Sequence, residues 1–366
     1  MTLSLVIAAG GTGGHMIPAD ALSAVLQQRG HRVTLLTDVR GLRIPGLFAD
    51  AGKHVIPAAT ASGMNPIAWA KACWAVYQGR AAGRQIARDV SAHAVIGFGG
   101  YPALPGMLAG IALKLPVILH EQNAVLGRVN RYMAKKVSAI ALTYADTLRV
   151  DGALERKVQV TGNPVRQAII DARQTVFSAP AGSAPFRLLV TGGSQGARVL
   201  STLVPAAIAA LPAPHRSRLV VQQQCRPEDL SAVVAAYRAA GVEAECLAYM
   251  ADLPERMAAA HLVVSRAGAS TMAELMVMGR PAILIPFKAA TDDHQTANAA
   301  GFVAAGAGVL LPEDTTSPAT LSGHLSGFMG SPEALAGAAA AARQLGHPDA
   351  AEKLADLVEK EVRGRG

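Results

Sequence analysis

The side chains most able to do chemistry lie in short glycine-rich or polar turns, each behind a short apolar run. The first turn is Ala8-Ala9-Gly10-Gly11-Thr12-Gly13-Gly14-His15. It is preceded by Leu3, Leu5, Val6 and Ile7 and followed by Ala21, Leu22, Val25 and Leu26 at helical spacing. A strand, a glycine turn and a helix start bring backbone N–H groups close to a phosphate and aim the positive end of a helix dipole at it. His15 adds an imidazole, a group that moves protons near neutral pH. Asp38 ends the next apolar run, where a dinucleotide fold keeps its ribose-binding acid. Counting Gly11 and Gly13 as the first two glycines, however, the third position is Met16, so that fingerprint is incomplete.

Three more turns follow in the first half. Gly97-Phe98-Gly99-Gly100-Tyr101-Pro102 closes one apolar run, His120-Glu121-Gln122-Asn123 closes another, and Gly162-Asn163-Pro164-Val165-Arg166 a third. Ligands of a parallel sheet bind at the carboxyl ends of its strands, so the first turn, the GFGGYP turn and the HEQN turn are expected to converge on one cleft. His120 and Glu121 are either catalytic or a hydrogen-bonded structural pair. The absence of a HExxH spacing argues against zinc. The second half opens as the first does, with the run Phe186–Val190 and the turn Thr191-Gly192-Gly193-Ser194-Gln195-Gly196-Ala197. Later come Arg266-Ala267-Gly268-Ala269-Ser270-Thr271, with Glu274 one turn inside a helix, and Thr291-Asp292-Asp293-His294-Gln295. Ser270 or Thr271 suits either a helix cap or an anion site.

The elements that position these turns alternate between apolar runs and helical segments. The pattern predicts an α/β chain of two Rossmann-like doubly wound domains, residues 1–162 and from 163 on, facing across a cleft. At 366 residues and 51% hydrophobic, core material suffices for both domains. Lys and Arg exceed Asp and Glu by 34 − 26 = 8, which favours anionic partners. Without a nucleic-acid motif, and with 4% aromatic residues, nucleic acid ranks below phosphates and acidic lipid. Cys73, Cys225 and Cys246 fit no zinc or CxxC spacing, and the N-terminus carries no signal peptide, as expected of a reduced cytoplasmic protein. The longest apolar stretch, Ala103 to Leu119, is broken by Pro105, Lys114 and Pro116 and is no membrane span. A missing GxxxxGK[ST] argues against a kinase or ATPase. Residues 64–90 hold both tryptophans, Trp69 and Trp74, near Lys71, Arg80, Arg84 and Arg88. They form either an ordinary surface helix or an interfacial patch for anionic lipid.

In order, GGTGGH, GFGGYP, HEQN, GNPVR, GGSQGA, RAGAST…E and DDHQ resemble the MurG family of glycosyltransferases, over nearly the whole chain. The resemblance implies the GT-B fold, with the last helix (347–366) crossing back to the first domain. It implies inverting transfer of N-acetylglucosamine (GlcNAc) from UDP-GlcNAc to an undecaprenyl-linked muramyl-peptide during peptidoglycan synthesis, at the cytoplasmic face of the bacterial inner membrane. Cell shape and division would depend on that product, and other cell-wall synthesis proteins are implied partners. No cofactor or tightly bound metal is expected. Carried over by motif, Arg166 and Ser194 contact the donor diphosphate, and Ala269, Ser270, Thr271, Met272, Ala273 and Glu274 line the nucleotide. Met250 meets uracil through its backbone, and Gln295 touches the sugar. Thr12, Gly13, Gly14 and Asn123 reach the sugar from the other domain. Gly11, Gly99, Gly100 and Tyr101 hold the acceptor diphosphate, and Trp69, Trp74, Arg80 and Arg84 seat the protein on the membrane. His15 is the expected general base, with Glu121 the other candidate; Gln223 and Cys225 receive no catalytic role. Rival readings are another GT-B UDP-sugar enzyme (a glycolipid transferase or UDP-GlcNAc epimerase), a dinucleotide oxidoreductase and a non-catalytic lipid-binding protein.

Overall fold

The computed structural model describes residues 1–44, 46–60, 63, 65–193 and 196–364. The chain divides into two compact units: Met1–Arg166 together with the chain from His347 on, and Gln167–Gly346. The division falls after Arg166, four residues beyond residue 162, and the reason is local packing. Gly162, at φ +82°, lies so close to the returning chain that a Cβ there would sit 2.6 Å from His347 Cβ. The GNPVR segment therefore stays with the first unit. The short helix Gln167–Ala172 instead packs on helices Leu253–Ala259 and Ala269–Met278 of the second.

The first unit holds strands β1 (Ser4–Ala8), β2 (Arg32–Thr37), β3 (Gly52–Val55), β4 (Ala94–Gly97), β5 (Val117–Glu121), β6 (Ala139–Leu142) and β7 (Val158–Val160). They form one parallel sheet in the order β3-β2-β1-β4-β5-β6-β7, with β1 between β2 and β4. Leu5 and Ile7 of β1 share one apolar face with Leu35, Ile96 and Ile118, while Val6 and Ala8 share the other with Leu36, Val95 and Leu119. A strand buried on both sides needs apolar residues at every position, which is why these runs are continuous rather than alternating.

The helix Ala350–Arg363 covers the first of these faces with Leu354, Ala355, Leu357 and Val358. Arg29 pairs with Glu352 on the helix's outer side and lies 2.7 Å from Asp356 and 3.0 Å from Glu359. Exposed ion pairs contribute roughly 0–1 kcal/mol each, against about 1.5–3 kcal/mol for burying a leucine. The apolar face thus anchors the helix, and the charges set its register.

The second unit holds β8 (Phe186–Thr191), β9 (Leu219–Gln224), β10 (Glu243–Leu247), β11 (Leu262–Ser265), β12 (Ala282–Leu284) and β13 (Gly308–Leu310). These strands are also all parallel, in the order β10-β9-β8-β11-β12-β13. Buried Arg280 donates to the carbonyls of Met257, Ala258, Met278 and Gly279, closing the carboxyl ends of two helices. Burial pulls its pKa down to about 10, so it stays charged at neutral pH.

Leu354→Ala is expected to cost about 2–5 kcal/mol of unfolding free energy. Arg29→Ala should cost about 1 kcal/mol or less, and the loss should shrink in high salt. Urea midpoints read both, and equal losses would mean that charge rather than apolar burial holds the helix.

Candidate functional site

Because β1 and β4 are neighbours, the turns that follow them touch. A Cβ at Gly10 would lie 2.6 Å from Pro102 Cβ, so only glycine lets the first loop meet the GFGGYP turn. A Cβ at Gly100, which has φ +69°, would lie 3.1 Å from His15 Nε2. The helices Gly13–Gln28 and Gly100–Ala112 both begin without a side-chain cap, at Thr12 and Gly99. Two helix N-termini thus meet beside one imidazole, an electropositive place suited to a diphosphate. Asp38, the residue at the ribose-acid position, is committed elsewhere. Its Oδ1 accepts from Gly11 N and Gly41 N, both at 2.9 Å, and its Oδ2 pairs with Arg40 Nε at 2.8 Å. Burial raises the pKa of this carboxyl, but those donors outweigh burial and hold it below the usual range.

At the end of β5, His120, Glu121 and Gln122 are all buried and all hydrogen-bonded. His120 Nε2 lies 3.0 Å from the carbonyl oxygen of Gly162. Gln122 Nε2 lies 3.0 Å from His120 Nδ1 and 3.1 Å from His120 O. Gln122 Oε1 lies 2.9 Å from His15 Nδ1. Burial drops the His120 pKa to about 4, so that ring is neutral at physiological pH.

Glu121 accepts four N–H bonds. Oε1 takes those of Asn123 N (3.0 Å) and Nδ2 (3.2 Å), and Oε2 those of Gly127 N (2.8 Å) and Asn130 Nδ2 (2.7 Å). Both oxygens are therefore occupied in organising the 122–130 loop. His120 and Glu121 are both held in hydrogen-bonded networks. His15 Nε2 lies beside Gly100, and the Asn130 amide beside Gly99.

In the second unit the loops after β8 and β11 are likewise adjacent, because those strands pair. Ser194 lies outside the described residues. The helix Ala269–Met278 starts at Gly268 without a side-chain cap. Met272 and Ala273 are buried, so only their main chain can face a ligand; Glu274 is buried on the same helix, and Ser270 and Thr271 are half-buried. Met250 is buried too.

Gln295 Oε1 accepts from Phe287 N at 2.9 Å. Asp292 and Asp293 take left-handed φ values of 57° and 52°, a strained turn that aspartate tolerates better than most residues. Arg266 had no assigned role. Its Nη1 donates to the carbonyls of Ile285 and Pro286, both at 3.0 Å, and to Glu313 Oε2 at 2.9 Å, pinning the approach to that turn. Gln223 and Cys225 are core residues; Gln223 bonds Leu200 O and Tyr237.

The helix Pro66–Asp89 turns its small residues Ala72, Gly79, Gly83 and Ala87 inward. Four of its large residues face solvent: Ile67 is 65% exposed, Trp69 49%, Trp74 60% and Tyr77 60%. Trp74 stacks on Tyr77 at 5.5 Å, and Arg80 and Arg84 are exposed on the same helix. No helix among the described residues is long and apolar enough to cross a membrane.

Residues 5–142 match the glycosyltransferase family 28 N-terminal domain, and residues 187–354 match its C-terminal domain. A protein of Zymomonas mobilis is 49% identical over 97% of this chain and 92% of its own length. One of Rhodospirillum rubrum is 48% identical over 97% of this chain and 91% of its own. Both are named UDP-N-acetylglucosamine–N-acetylmuramyl-(pentapeptide) pyrophosphoryl-undecaprenol N-acetylglucosamine transferase. The chain belongs to glycosyltransferase family 28. The crystal structure of Acinetobacter baumannii MurG superposes with a TM-score of 0.77 at 28% identity, covering 98% of this chain and 99% of that one. The MurG resemblance read from the motifs is thus borne out. A UDP-N-acetylglucosamine 2-epimerase of Listeria monocytogenes, described as putative, covers 100% of this chain at TM-score 0.66. It is only 14% identical, so it shares the fold alone.

In this family 28 chain Gln122 and Arg266 stand in motifs read without a role for them, and Asn130 stands in none. Gln122 and Arg266 each follow directly on a buried strand, where a polar residue has to find partners; Asn130, inside the helix Arg128–Ala134, carries no such signal.

Two outcomes follow from the buried groups. His120 binds a proton more readily when unfolded, where its pKa is near 6.5, than when folded, where it is about 4. Its contribution is therefore present above pH 6.5 and lost as pH falls toward 4, on the order of 3 kcal/mol in all. Urea midpoints across that window should fall with acid, and His120→Asn should flatten the slope. Glu121→Gln places an amide N–H₂ against N–H donors and should cost about 1–3 kcal/mol, read by the same midpoints.

Proposed function

We propose that this chain is an inverting hexosyltransferase that moves GlcNAc from UDP-GlcNAc to the C4 hydroxyl of MurNAc in undecaprenyl-pyrophosphoryl-MurNAc-peptide, a step of peptidoglycan synthesis. What carries the reading is near-full-length agreement with relatives named for this transfer, 45–49% identical. In the reaction the acceptor O–H gives its proton to His15 Nε2, and the C4 oxygen bonds to the anomeric carbon. The bond from that carbon to the diphosphate breaks, with its electron pair leaving on UDP. An oxocarbenium-like transition state is expected, by analogy with glycoside hydrolysis.

The first unit's glycine turns take the acceptor diphosphate, through Gly11, Gly99, Gly100 and Tyr101. The helix start at Ala269–Thr271 meets charge on the nucleotide, with Glu274 toward ribose, Met250 toward uracil and Gln295 toward the sugar. Arg166 and Ser194 toward the donor diphosphate, and Thr12, Gly13, Gly14 and Asn123 toward the donor sugar, complete the assignment. The reading includes no cofactor and no bound metal. Supporting His15 as the base is its place at the glycine turns, with Nε2 beside Gly100; Glu121, with both oxygens occupied, is the weaker candidate.

The exposed aromatics and arginines of helix Pro66–Asp89 support peripheral attachment to anionic lipid, at the cytoplasmic face of the inner membrane where a lipid-linked acceptor would be met. Cell shape and division then depend on the product, and other cell-wall synthesis proteins are natural partners.

The deciding assay is UDP release from UDP-GlcNAc with and without a soluble lipid-linked muramyl-peptide analogue, in the presence of EDTA. Acceptor-dependent release that survives EDTA is expected; conversion of the donor sugar alone would point to an epimerase. In the same assay His15→Ala should lower kcat by ~10²–10⁴. Trp69→Ala with Trp74→Ala should weaken sedimentation with vesicles containing phosphatidylglycerol and leave turnover of the soluble acceptor near wild type.

A further inference from the structure

Two backbone carbonyls determine which nitrogen of His15 carries the proton. A carbonyl oxygen only accepts, so the His120 nitrogen 3.0 Å from Gly162 O, Nε2, bears hydrogen. His120 is fully buried and neutral, so its Nδ1 is a bare acceptor. The Gln122 atom 3.0 Å from that Nδ1 must then be the amide nitrogen. The same atom lies 3.1 Å from His120 O, a second acceptor-only group that independently requires nitrogen there. The amide oxygen of Gln122 therefore faces His15 Nδ1 at 2.9 Å, and His15 Nδ1 is the donor. Neutral His15 is left with its lone pair on Nε2, the atom beside Gly100.

We infer that Gln122 is a positioning residue that locks His15 as the Nδ1–H tautomer, so that Nε2 is the atom free to take a proton. This deepens the reading of His15 as the base and rests on it. The same bond persists once Nε2 is protonated, because Nδ1 still donates to Gln122 Oε1, so nothing in the network has to turn during the reaction. The line runs from the end of β7 through His120 and Gln122 after β5 to the first turn of the helix after β1. Three segments distant in sequence thereby set one proton.

The test uses the full chain with ¹⁵N-labelled histidine, in long-range ¹H–¹⁵N correlation spectra above the histidine titration. The His15 signal is identified by its loss in His15→Gln. Wild type should show Nδ1 protonated and Nε2 bare. Gln122→Met, which keeps a side chain of similar length but removes both polar atoms, should lose that pattern. It should also lower kcat on the order of 10–10²-fold with KM for UDP-GlcNAc within about twofold; the ~10⁴-fold loss for a wrong tautomer in a serine-protease triad is the upper bound. Thermal melts and UDP binding of each variant check the fold. An Nε2–H tautomer in wild type, or an unchanged tautomer in Gln122→Met, overturns the inference whatever the kinetics. Full activity in His15→Ala overturns the base assignment alone and leaves the tautomer result standing.

Discussion

The pairing of β1 with β4 is the constraint on which the rest of the first unit depends. In a parallel sheet every loop at the carboxyl edge emerges on the same side, but only neighbouring strands bring their loops into contact. The insertion of β1 between β2 and β4 sends the following helices to opposite faces and opens a crevice at that point. Two glycine turns fill it, so close that Gly10 has no space for a side chain, while Gly100, at φ +69°, sits tightly against His15. The second unit has the corresponding arrangement at β8 and β11. There too a glycine turn and an uncapped helix start are set side by side.

A second constraint follows from the first. Strands buried on both faces deliver their terminal polar residues into a dry interior, where each unmade hydrogen bond costs roughly 1–3 kcal/mol. His120, Glu121 and Gln122 meet that demand among themselves, Asn123, Gly127, Asn130, Gly162 and His15. Rigidity around His15 is thus a consequence of satisfying buried polar groups.

The helix Pro66–Asp89 shows the opposite allocation. Close approach to its neighbours is achieved with glycine and alanine, which leaves the bulky apolar groups outside among arginines. Burying a tryptophan is ordinarily favourable, so leaving two in water is unfavourable for the isolated fold. That cost is understandable where the outer face has an apolar, anionic surface to meet.

The continuous apolar runs, the glycine turns behind them and the order of seven motifs were enough to read two doubly wound α/β units and the family. Those signals are local, because strand burial and helix starts leave their mark on adjacent residues. The fate of individual side chains was not local. Asp38 reads as a ribose acid but is held by Gly11 and Gly41, and Glu121 reads as a base but is surrounded by four donors. The tautomer of His15 depends on a carbonyl at Gly162, far along the chain. The division after Arg166 depends on a returning segment that no composition change announces. Residue type and spacing determined which groups were present at the strand ends. Only the tertiary structure decided which of them were already committed to one another, since a hydrogen bond is settled by distance in space and not by distance in sequence.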